Sequence, residues 1–149
     1  MKIQKKYLKL LLDILVKTTP NFVEARFRDR FINRVDKEFE IFERERVHLC
    51  ESLCEKNKEK KPIFILGKEG NLVTKAYKFS DKKQVEFDKQ FKILLDEECK
   101  ILLEDDENKR LIKLIESTQY VPMIGEADLI YQNIIEKIEP GAEKKTKSK

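Results

Sequence analysis

Arg26, Arg30 and Arg34 recur four residues apart, and Lys37 follows three residues later. On a helix of 3.6 residues per turn this spacing makes one cationic row, with Arg28 to one side. A guanidinium donates two parallel hydrogen bonds to a phosphate or carboxylate, so such a row can recognise nucleic acid or an acidic protein surface. Glu24, Asp29 and Glu38 are interleaved with it. The row therefore also fits a solvated helix face, or an internal match to acidic residues later in the chain. We read Arg26, Arg28, Arg30, Arg34 and Lys37 as the candidate residues for binding a partner or nucleic acid.

Other chemistry finds little support. His48 is the single histidine, and the thiols are Cys50, Cys54 and Cys99. Cys50 and Cys54 are one helical turn apart, but His48 precedes Cys50 by two positions, about 200° around the helix. A structural zinc site needs four ligands, usually with paired cysteines on turns, so no metal is expected. The sequence contains no GxSxG, HExxH or GxGxxG. Gly67-Lys68-Glu69-Gly70 lacks the Lys-Ser/Thr end of a phosphate loop and reads as a turn. The pairs Glu97/Glu98 and Asp105/Asp106 suit helix ends and solvated charge better than acid–base work. We expect no catalytic residues, no cofactor and no enzyme.

The elements that would position the row are mostly helical. Leu8, Leu11, Leu12 and Leu15 predict a first helix over about Gln4 to Lys17, ended by Thr18-Thr19-Pro20. Asn21 with Glu24 is a capping-box-like start for a long second helix reaching about Asn57. Its apolar stripe is Phe27, Phe31, Val35, Phe39, Phe42, Leu49 and Leu53. Pro62 to Leu66, a turn over Gly67 to Asn71, and Leu72 to Phe79 read as a β-hairpin. Ser80 or Asp81 caps a third helix bearing Phe87, Phe91, Leu94 and Leu95. Residues 99–103 fit a continuation of that helix or a third strand beside the hairpin, and the strand is slightly preferred. Asp105 or Asp106 caps a fourth helix with Leu111, Ile112, Leu114 and Ile115. A fifth is expected over Glu126 to Glu139.

The fold class is therefore α+β and mostly helical: about five helices, the second long, with a small antiparallel hairpin or three-stranded sheet. One domain is expected over 1–139, with a disordered basic tail over 140–149. The chain has 149 residues, of which 40% are charged, and only four glycines and four prolines, which excludes collagen-like and Pro/Gly-rich classes. Three cysteines make no disulfide framework and favour a reduced, cytoplasmic setting. Lys9 and Asp13 interrupt the apolar opening stretch, and no 18-residue apolar run exists, so neither a secretion leader nor a membrane span is expected. The net charge of +4 hides a cancellation. Residues 1–79 carry 19 basic and 12 acidic side chains, residues 80–139 carry 9 and 15, and the tail is basic.

The order of several short segments carries a resemblance. Ala25-Arg26-Phe27-Arg28-Asp29-Arg30-Phe31 opens the long helix, and Tyr77-Lys78-Phe79 closes the hairpin. Leu94-Leu95-Asp96-Glu97-Glu98 ends the third helix, and Gly125-Glu126-Ala127-Asp128-Leu129-Ile130-Tyr131 comes near the end. Over roughly residues 20–139 the chain resembles a family of small proteins of tailed phages and prophages of Gram-positive bacteria. The resemblance implies a phage setting and an intracellular, non-enzymatic role. The expected partner is a phage or host protein, with nucleic acid as the alternative and self-association open; no membrane partner is expected.

Overall fold

The computed structural model describes residues 1–69 and 72–118. It is a mostly helical α+β fold with a long second helix and two small antiparallel sheets of two strands each. The described residues divide into two compact units, one made of Met1–Phe39 and residues 98–118, the other of Glu40–Glu97. The expected fifth helix over Glu126 to Glu139 and the tail over 140–149 lie outside the described residues.

In the first unit, strand β1 (Lys2–Gln4) pairs with β4 (Glu98–Lys100), Ile3 opposite Cys99. Both of those side chains are buried, while Lys2, Glu98 and Lys100 are exposed, as the two-residue period of a strand requires. This corrects two expectations. The first helix does not begin at Gln4: a single 3-10 turn intervenes and α1 spans Leu8–Val16. The late strand exists, but it joins β1 and not the hairpin, so there is no three-stranded sheet among the described residues.

Helix α1 buries Leu8, Leu11, Ile14 and Leu15 completely. Its last carbonyls are taken up by two threonines. Thr18 Oγ1 donates to Leu15 O at 2.7 Å and Thr118 Oγ1 to Ile14 O at 3.0 Å. Thr18 and Thr118 also form an isolated antiparallel bridge. Helix α2 (Phe22–Leu53) starts as its sequence predicts, with Glu24 N donating to Asn21 Oδ1 at 3.0 Å. Phe27, Phe31 and Val35, each four residues apart, are fully buried. Helix α4 (Asp105–Glu116) adds Leu111, Leu114 and Ile115. Its N-cap is Glu104, one residue before the expected Asp105 or Asp106. There Glu104 N donates back to Glu107 Oε2 at 3.2 Å, which keeps one free amide of the helix start paired. Burying each such Leu or Phe contributes about 1.5–3 kcal/mol.

The second unit holds the rest of α2, the hairpin and α3 (Asp81–Asp96). Strands β2 (Phe64–Glu69) and β3 (Leu72–Tyr77) pair in antiparallel register from Phe64↔Tyr77 to Glu69↔Leu72. The strand continues through Gly67, which the sequence places in the turn. Gly67 faces Thr74, and a Cβ there would come within 2.6 Å of the Thr74 hydroxyl oxygen. The glycine thus serves a close cross-strand approach. Phe42, Phe91, Phe87 and Phe79 form a run of neighbouring rings, with centroids 6.3, 5.4 and 5.0 Å apart. Behind the hairpin, Lys78 N donates to Ile63 O, Glu55 N to Lys78 O, and Ile63 N to Glu55 O, all at 2.8–2.9 Å.

Candidate functional site

Helix α2 sorts the candidate cations by their position around it. Positions 27, 31 and 35 point into the core, so Arg26 and Arg30 are carried outward and stand exposed. Neither forms an ion pair among the described residues. Arg34, next in the same row, is half-buried and engaged within the fold. Its Nη1 donates to Glu107 Oε2 at 2.6 Å and to Leu102 O at 3.0 Å, and its Nη2 donates to Glu107 Oε1 at 3.2 Å. The Glu107 side chain is 8% exposed. This fork raises the guanidinium pKa of Arg34 and, through the same hydrogen bonds, lowers that of the Glu107 carboxyl. Arg34 is thus a structural residue tying α2 to the start of α4.

Arg28 is also engaged, its Nε donating to Asp29 Oδ1 at 3.0 Å and its Nη1 to Thr18 O at 3.3 Å. Lys37 is exposed further along α2. The five candidates therefore do not act as one row. Two are committed to the fold or to a neighbour, and Arg26 and Arg30 face outward together.

Arg110 of α4, a residue the sequence reading missed, joins that pair. Val23, Arg26, Asp29, Arg30 and Arg110 line an open groove of about 590 Å³. Arg110 lies over the buried Phe27 ring, its guanidinium carbon 4.4 Å from the centroid, and its Nε donates to Glu24 Oε2 at 3.3 Å. Arg110 borders a second groove of about 340 Å³ as well, where Lys109 and Lys113 also stand. Phe22 and Val23, 80% and 65% exposed, add an apolar edge at the start of α2. Chemically, the arrangement can hold oxyanions by charge-assisted hydrogen bonds and accept an apolar side chain beside them.

The remaining candidates are dispersed. His48 is exposed on α2. Cys50, Cys54 and Cys99 are buried free thiols, and burial pushes the Cys50 thiol up in pKa. Among the described residues no three His, Cys, Asp or Glu side chains gather as metal ligands would. No described helix is long and apolar enough to cross a membrane. Compared with known proteins, the chain matches no family model, no curated protein and no solved structure.

Proposed function

We propose that this chain is a non-enzymatic interaction module that binds an acidic protein partner through Arg26, Arg30 and Arg110. The observation that carries this is the exposed state of Arg26 and Arg30 around one groove, without an ion pair among the described residues, while Arg34 on the same helix is bound to Glu107. Placing three guanidinium groups round an open groove costs mutual repulsion, which an anionic partner relieves. One feature favours protein over nucleic acid. Phe22 and Val23 supply an apolar edge, as the centre of a protein interface does. In the phage setting implied by the sequence resemblance, the partner is a phage or host protein.

A second reading, a nucleic-acid-binding regulator, draws on the same spare arginines, whose forks also suit phosphate. One titration separates the two. Fluorescent oligoglutamate and a single-stranded oligonucleotide of equal charge are titrated against the wild type and R26A/R30A, at low and moderate salt. The proposal expects oligoglutamate to bind and R26A/R30A to weaken it. Tighter, steeply salt-dependent binding of the oligonucleotide assigns the surface to nucleic acid instead. Binding of both ligands that R26A/R30A leaves unchanged overturns both readings.

A further inference from the structure

Arg110 is held differently from Arg34, although each meets a glutamate. Arg34 uses both ends of its fork at 2.6 and 3.2 Å. Arg110 makes a single hydrogen bond, from Nε to Glu24 at 3.3 Å, and its two terminal nitrogens donate none among the described residues. The group is nevertheless placed by its seat over Phe27 and by its hydrogen bond to Glu24. A guanidinium anchored at Nε with its outer edge free is prepared for a bidentate oxyanion, because the ordering cost is already met within the fold.

Arg110 borders both of these grooves. On one side stand Arg26 and Arg30. On the other, Lys109 and Lys113 lie one turn apart on α4, both exposed and neither ion-paired among the described residues. Glu24, the carboxylate of that second groove, is already occupied by Arg110. The five cations thus follow one another from α2 to α4 around Arg110.

We infer that the two grooves form one extended docking surface for a carboxylate-bearing segment of the partner, gripped at its middle by the free edge of Arg110. This rests on the acidic-partner reading above and adds to it a length and a central contact. Charge complementarity names the occupant: cations on both sides of Arg110 fit a run of acidic side chains longer than one groove accepts. Glu24 is a positioning residue, acting through its hydrogen bond to Arg110.

The test uses the full chain and the fluorescent oligoglutamate peptide, with R110K, K109A/K113A and R26A/R30A. R110K keeps the charge and removes the fork, so a mere charge effect leaves it unchanged. We expect R110K and K109A/K113A each to weaken binding by roughly two- to five-fold, the scale of exposed ion pairs. Circular dichroism checks that each variant is folded. Lys109 and Lys113 are exposed, so their double variant tests the extent of the surface even if R110K disturbs Phe27. Wild-type affinity in K109A/K113A, or in a folded R110K, overturns this inference. If R26A/R30A still weakens binding in that case, the acidic-partner reading stands without it; if R26A/R30A also binds like the wild type, both fall.

Discussion

The two units achieve order by different means. The largest fully buried side chains, among them Phe27, Phe31, Leu11, Leu15, Ile101 and Leu111, all belong to the first unit. In the second, helix α3 buries no residue to that degree, and its Phe87, Phe91, Leu94 and Leu95 are half-buried. Its order comes from a smaller buried set, Phe42, Cys50, Leu53 and Cys54, with stacked rings, hairpin hydrogen bonds and surface ion pairs such as Lys78–Glu55 at 2.8 Å. Exposed pairs contribute little and isolated hairpins are marginal. The lesson is that the cationic surface sits on the unit best able to hold it rigid. Repelling guanidinium groups need a firm base, and Arg110 rests directly on a fully buried ring.

The largest expected effect separates the units by truncation. Phe31→Ala removes a fully buried ring and should cost about 3–5 kcal/mol, read from urea unfolding. Phe91→Ala removes a half-buried ring and should cost about 1–2 kcal/mol. Native-state hydrogen exchange sharpens the contrast. Phe91→Ala should speed exchange in α3 and the hairpin while α1 and α4 stay protected. Equal costs, or acceleration spread over both units, would break the comparison.

A smaller effect tests the Arg34–Glu107 fork in the first unit. The Arg34 hydrogen bonds lower the Glu107 pKa, so the folded carboxyl stays ionised at pH values where the unfolded one binds a proton. The stabilisation is complete above the unfolded value and is lost as pH falls through the folded one. Glu107→Gln keeps the shape and removes the charge. At neutral pH it should cost about 1–3 kcal/mol, the range for a charged hydrogen bond in a half-buried site. Urea midpoints of the two proteins should converge as pH falls. Curves that stay parallel down to acid pH would show that the fork contributes no pH-dependent stability.

These regions were unequally legible. The α1 leucines, the Asn21 cap and the Phe27/Phe31/Val35 stripe are local signals, each visible within one or two turns of chain. Strands β1 and β4 are not local. Each has three residues, too short for a two-residue period to register, and their partners are nearly the whole described chain apart. Gly67 reads as a turn because the reason for a glycine there, the Thr74 hydroxyl, lies across the strand pair. The charge division hinted that the basic row meets acidic residues, but which arginine is used up depends on where α4 begins. Arg110 was hidden by its company, since Asp105-Asp106-Glu107 makes its helix look acidic. The available signal was the cluster Lys109, Arg110, Lys113 inside an otherwise acidic stretch.

The smallest effect belongs to the second unit and runs in the opposite direction of pH. Burial raises the Cys50 pKa, and it raises that of Tyr77 too. Both groups are neutral when protonated, so the folded state holds their protons longer than the unfolded state does. Their contribution is complete below the unfolded values and is lost as pH rises through the folded ones. The second unit should therefore loosen in mild alkali, where the first keeps its Arg34–Glu107 fork. Cys50→Ala should cost only about 1 kcal/mol at neutral pH, the scale of one small buried group. It should also flatten part of the alkaline decline in the exchange protection of the hairpin. Alkylation gives an independent reading, because a buried, protonated thiol reacts only when its surroundings open. Cys50 labelling that is fast at neutral pH would mean that this unit is open far more often than its ring stacking and hairpin pairing allow.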